Sequence, residues 1–140
     1  MENTLPPQSP SKSRFNLEER TLRFAADVRV FVSKLPRSMI ASDDVRQLVR
    51  ASGSVGANYI EANEALGKKD FIMRIRICLK EAKESSFWLR LISVGTSERL
   101  IAERNRLAQE AKELLRIFFA ILKTIRSKEK AASEAAAVAV

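Results

Sequence analysis

The chain has 140 residues, enough for one domain, with a hydrophobic fraction of 46% that can supply a core. Its 25 Lys and Arg against 17 Asp and Glu give a net charge of +8, which points to a polyanion or an acidic surface as partner. The absence of histidine removes the commonest general base and metal ligand, and one cysteine, Cys78, makes neither an intrachain disulfide nor a zinc site. Only four glycines and four prolines occur, so the composition favours an all-helical protein.

Residues 1–15, MENTLPPQSPSKSRF, are polar and proline-rich. They read as a disordered arm in which Lys12 and Arg14 can touch an anionic partner or simply be solvated. The arm has no hydrophobic signal core, and no apolar run approaches the ~18 residues of a membrane span. A cytoplasmic protein is the expectation.

The first helix is predicted from about Leu17 to Leu35. Asn16 caps it, Glu19 is placed for a capping box, and Pro36 ends it. Phe24, Val28, Phe31 and Leu35 form its apolar stripe, widened by Ala25 and Val32. The second helix starts near Asp43, with Ser42 as cap and Asp43 and Asp44 at the positive end of the dipole. It continues to about Leu66, where Gly67 suits a left-handed C-terminal position.

Gly53 and Gly56 lie in the middle of this second helix, each costing about 1 kcal/mol against alanine. Val45, Leu48, Ser52, Val55 and Tyr59 keep one phase across them, which favours a continuous helix whose glycine face meets a neighbour closely. The alternative is a break at residues 52–56.

The third helix is predicted from about Lys69 to Val94, with Gly95 as its stop. Ile72, Ile75, Leu79, Ala82, Ser86 and Leu89 form its core stripe, with Phe71, Cys78 and Ile92 widening it. Cys78 reads as a small buried core residue. On the other side, Lys69, Arg76, Lys83 and Arg90 recur at every seventh residue. Such a row can track phosphates, or it can be the solvated face of an amphipathic helix.

The fourth helix is predicted from about Ser97 to Ser127, with one apolar seam through Ile101, Ala108, Leu115 and Leu122 and another through Leu107, Ala111, Leu114, Phe118, Ile121 and Ile125. The tail at residues 128–140 is low-complexity and either extends the helix or frays, so the bundle proper is expected at residues 16–127. Four amphipathic helices with short connections give an antiparallel up-down-up-down four-helix bundle. Phe87 and Trp88 beside Leu89, and Phe119 beside Phe118, cannot all face one core, so some aromatic surface is left for self-association.

The stretch Gln47 to Ala65, QLVRASGSVGANYIEANEA, followed by KKDFIMRIRICLKEAKESSFWLRLI, resembles the bacterial four-helix-bundle proteins also called 23S ribosomal RNA intervening-sequence proteins. The resemblance rests on Gln47, Leu48, Arg50, Ser54, Gly56-Ala57-Asn58-Tyr59, Glu61-Ala62, Lys69-Asp70-Phe71, Leu79-Lys80-Glu81-Ala82 and Trp88-Leu89-Arg90, and covers roughly residues 17–125. Ile60 departs from it, standing where that branch often has arginine. The resemblance implies a ring-shaped homo-oligomer, typically a pentamer. It extends to basic accessory proteins of diversity-generating retroelements that contact nucleic acid.

Arg50, Asn58 and Glu61 on the second helix and Glu81 and Glu84 on the third are the candidate polar network at a helix or subunit contact, together with Gly53, Gly56, Tyr59 and Trp88 as motif residues. A buried carboxylate needs a partner. Read as catalytic, Glu61 and Glu84 would form an acid–base pair, but no nucleophile, metal cluster or phosphate loop accompanies them. A non-enzyme without cofactor or small-molecule substrate is expected.

The leading expectation is an oligomer that binds RNA or DNA through phosphates by Lys69, Arg76, Lys83 and Arg90, with Arg104, Lys112 and Lys123 as further contacts. The alternative is a homo-oligomeric scaffold for another protein. A membrane-surface bundle fits less well, because the apolar faces are committed to the core.

Overall fold

The structure, a computed structural model, describes residues 16–139. The expected arm at residues 1–15 lies outside them. Five helices follow in order: α1 (Leu17–Ser33), α2 (Arg37–Ile40), α3 (Asp43–Asn63), α4 (Lys68–Leu91) and α5 (Glu98–Val138). No strand occurs among the described residues, so this is an all-α protein.

Local chemistry accounts for most boundaries. The Asn16 side chain accepts from the Glu19 amide at 3.1 Å, and the Ser42 hydroxyl accepts from the Val45 amide at 3.3 Å. Each satisfies an amide that the first helical turn leaves without a partner. Helix α1 stops at Ser33, short of the expected Leu35, because Lys34 and Leu35 already adjust to Pro36. Pro36 then opens the single turn of α2, which is too short to show a periodicity in the sequence. Helix α3 runs unbroken through Gly53 and Gly56.

The expectation for Gly67 is corrected. Helix α3 leaves helical geometry at Glu64, so no left-handed position arises at Gly67, whose φ of −150° is extended backbone preceding α4. Helix α4 ends at Leu91, short of the expected Val94, with Ile92 already extended, so Gly95, whose φ of +66° is the left-handed conformation that a side chain would disfavour, turns the following loop and is not the helix stop. Helix α5 also passes its expected end at Ser127 and continues to Val138. The alanine-rich segment AASEAAAV consists mostly of the best helix former, so nothing in it stops the helix. At 41 residues α5 is about 60 Å long.

Helix α1 packs against α3 and α5, α3 against α4, and α4 against α5, so the four long helices enclose one core. Phe24, Val28 and Phe31 of α1 meet Leu48 and Val55 of α3, Ile75 and Leu89 of α4, and Leu107, Leu114 and Phe118 of α5, all essentially without solvent contact. Each such large side chain contributes roughly 1.5–3 kcal/mol by leaving water.

The links between helices have a common sense. Along α1, Glu18 meets Asn63 and Arg29 meets the Val49 carbonyl of α3, while Arg20 meets Glu110 and Lys34 meets Glu103 of α5. Along α3, Arg50 meets Glu84 and Asn58 meets Arg74 of α4. Along α4, Lys68 meets Glu129, and the Ile92 carbonyl just past its end meets Arg104 of α5. In every pair the number on one helix falls as the number on the other rises.

Candidate nucleic-acid interface

Lys69, Arg76, Lys83 and Arg90 are all exposed on α4, and none of them forms an ion pair within the described chain. A spacing of seven residues is two helical turns, or about 10.5 Å. The row therefore runs nearly parallel to the axis with its charges available to solvent. Lys112 and Lys123 are likewise exposed on α5. Arg104 differs from the expectation: it is half-buried and its Nη1 donates to the Ile92 carbonyl at 3.4 Å, tying α5 to the end of α4.

The structure brings two of the expected cations together across the α4–α5 boundary. Arg76 and Lys123 line one groove of about 700 Å³, floored by Ile72, Leu79, Phe119, Leu122 and Ile125. Arg126 and Lys130 add to its rim together with Ser127 and the carboxylate Glu129, and the sequence does not single out either cation. Both follow Lys123 at helical spacing, so the signal is present, but it lies at or beyond the expected helix end. Lys69 lies beside Arg76 at the neighbouring surface near Glu129, whereas Lys83, Arg90 and Lys112 do not line the groove.

The expected polar network divides in two. Arg50 reaches across from α3 to α4, its Nη1 3.3 Å from Glu81 Oε2 and its Nη2 3.1 Å from Glu84 Oε2. Glu81 is buried, and its Oε2 has the Arg50 charge nearby without a hydrogen bond of good direction. About two turns along, Asn58 Oδ1 accepts from Arg74 Nη1 at 3.1 Å, while its Nδ2 donates to the Ser54 carbonyl at 2.9 Å. Arg74 is an addition to the expected set.

Glu61 joins neither cluster: it is exposed, because the three-residue step from Asn58 turns it away from α4. Since Arg50 is the neighbour of Glu84, Glu61 stands eleven residues further along α3, or about 16 Å, and cannot pair with Glu84 as acid and base.

Other motif residues are structural. Tyr59 packs on Phe118 with ring centroids 6.0 Å apart, and Trp88 is half-buried with its ring edge-on to exposed Phe87 at 5.1 Å. Cys78 is buried, and its Sγ donates to the Val55 carbonyl at 3.4 Å. Burial pushes its thiol up to about 12, so at neutral pH it is a protonated core group and not a nucleophile. Between α1 and α5, hydrogen bonding to Glu110, with the charges of Glu110 and Glu113, outweighs burial and holds the Arg20 guanidinium above its ordinary value, clamping the two helices together. No helix among the described residues is long and apolar enough to cross a membrane.

The chain is similar to a protein of unknown function from the S23 ribosomal protein family of Bacteroides thetaiotaomicron. The two are 27% identical, the match covers 76% of this chain and 98% of that one, and the TM-score is 0.67. The likeness thus takes in almost the whole of that protein, and this chain has further sequence beyond it. No family model matches this chain, and no curated protein does.

Proposed function

We propose that this chain is a non-enzymatic, antiparallel four-helix bundle of the 23S ribosomal RNA intervening-sequence kind, assembled as a ring-shaped homo-oligomer, that binds RNA or DNA through its phosphates. The falling partner numbers between every pair of packed helices support the antiparallel order. The similarity to an S23 ribosomal protein family member supports the family, and the resemblance of the motif residues supplies five as the copy number. The observation that carries the binding role is the row Lys69, Arg76, Lys83 and Arg90, exposed and without an ion pair among the described residues, along one face of a chain with net charge +8. Binding of this kind is driven by counterion release, and reads the phosphate backbone more than the bases.

Reversing all four charges (Lys69→Glu, Arg76→Glu, Lys83→Glu, Arg90→Glu) tests the assignment. Affinity for a random RNA duplex is expected to collapse. The slope of log affinity against log salt is expected to flatten by about 3 to 4, close to one for each phosphate no longer neutralised. Unchanged affinity and slope, measured by fluorescence anisotropy over a salt series, would remove the row from the binding surface. Exposed Phe87 and Phe119 support the second reading, a homo-oligomeric scaffold for another protein, and a wild-type chain that ignores RNA at every salt would favour it.

A further inference from the structure

Helix α4 carries two rows with coiled-coil spacing. One, through Ile75, Cys78, Ala82, Ser85 and Leu89, is buried in the core. The other, Met73, Ile77, Lys80, Glu84, Phe87 and Leu91, advances by alternating steps of four and three residues on the outer side. Met73, Phe87 and Leu91 are 48%, 56% and 53% exposed, a large apolar area for side chains that nothing in the described chain covers. A row with this alternation is the seam along which one helix docks on another.

The order of residues in the outer row names the occupant. Apolar residues fill both ends, and one cation and one anion sit in the middle. Read backwards, the row is complementary to itself: Met73 falls opposite Leu91, Ile77 opposite Phe87 and Lys80 opposite Glu84. We propose that α4 docks antiparallel on α4 of a second copy of this chain, about a two-fold axis midway between Lys80 and Glu84. Every contact is then made twice, as an isologous interface requires. A parallel pairing in register would set Lys80 against Lys80 and Glu84 against Glu84, so the charges select the antiparallel direction.

The central groups are available for this. Lys80 is exposed and has no ion pair within the described chain. Glu84 gives Oε2 to Arg50 at 3.1 Å and retains its other oxygen for a lysine from the second copy. Trp88, half-buried, braces Phe87 edge-on at 5.1 Å, which lowers the ordering cost of an exposed aromatic anchor.

One feature opposes the contact. Lys69, Arg76, Lys83 and Arg90 each precede a residue of the outer row or its continuation, so the two-fold axis brings both basic rows along the same side of the interface. Their repulsion acts over about 10 Å at 0.1 M salt and is shorter-ranged above it, whereas the apolar contacts do not weaken with salt. The pairing should therefore tighten as salt rises. It is also distinct from the ring, whose contacts are head-to-tail; where both form, the α4 contact joins two rings.

The test mixes two full-length variants, Met73→Cys and Leu91→Cys, under mild oxidation. Both positions are exposed, and native Cys78 is buried and protonated. The expected result is a disulfide between the two variants that forms many times faster than in either alone. Lys80→Glu or Glu84→Lys should each weaken pairing by about tenfold, and the double exchange should restore it, with helicity unchanged throughout. Cross-linking of Leu91→Cys alone as fast as in the mixture, or no cross-link above the rate of the separate variants, would overturn the proposal. Sedimentation separates the two ideas: a five-copy species without the mixed cross-link leaves the ring and removes the α4 contact, and the cross-link on a two-copy species does the reverse.

Discussion

Gly53 and Gly56 stand one turn apart on α3, and their neighbours on α1 differ in how far they can move. A Cβ at Gly56 would lie 2.9 Å from Thr21 Oγ1 and 3.3 Å from Thr21 Cβ. Thr21 is fully buried, and its hydroxyl is held by the Glu18 carbonyl at 2.9 Å, so it cannot retreat without breaking that bond. A Cβ at Gly53 would instead meet Arg29 Nη2 at 3.1 Å, the end of a flexible, exposed side chain. Gly56→Ala is therefore expected to destabilise the protein by about 1–3 kcal/mol, the strain exceeding the gain in helix propensity. Gly53→Ala should be neutral or stabilising by up to about 1 kcal/mol. Urea denaturation of the two variants decides it: equal midpoints would mean that α1 recedes from Gly56 at little cost.

At the scale of the helices, a different asymmetry appears along α5. Its first part is packed against α1 and α4, and the Lys68–Glu129 ion pair at 3.1 Å ties its later turns to the start of α4. From residue 131 to residue 139 every side chain is exposed. These turns exist through alanine propensity alone, so ending the chain after Lys130 should shift the unfolding free energy by less than about 0.5 kcal/mol in urea while reducing the helical circular-dichroism signal. A large loss of stability would show that the segment packs on something. What is legible in the sequence follows the same division. Periodicity within one helix locates the core stripes, the continuity of α3 and the row from Lys69 to Arg90, because each of these depends on neighbours three, four or seven residues away. Pairings between helices are harder to read: Arg50 does join Glu81 and Glu84 as expected, but Arg74 beside Asn58 has no signal in the sequence, since only the packed bundle sets the axial offset of α3 and α4. Gly67 misleads for a related reason: no stop residue marks the end of α3 at Asn63. Lys130 escapes notice because the alanine-rich tail beyond it disguises the continuation of the helix, whereas Arg126 lies within the expected helix and only the packing of α5 on α4 sets it beside Arg76.

For the whole molecule, the row of cations on α4 has two consequences of opposite sign. It attracts phosphates, which makes RNA binding weaken as salt rises. It also sets two copies against each other along the proposed α4 contact, which makes pairing strengthen as salt rises. A duplex lying along both rows would neutralise the repulsion at low salt, so the two events are coupled. Coupling of binding equilibria is reciprocal: the factor by which RNA tightens pairing equals the factor by which pairing tightens RNA. At low salt, RNA duplex is therefore expected to lower the dissociation constant of the α4 pair by at least about tenfold, and at high salt to leave it unchanged while the pair persists without RNA. Sedimentation equilibrium with labelled protein, with and without duplex at both salts, reads both quantities. RNA that binds at low salt without altering pairing would place the phosphates on a cationic surface away from the α4 contact, with Lys123, Arg126 and Lys130 of α5 as the next residues to reverse. Charge reversal of these three would then reduce RNA affinity and leave the Met73–Leu91 cross-link intact, because all of them lie on α5.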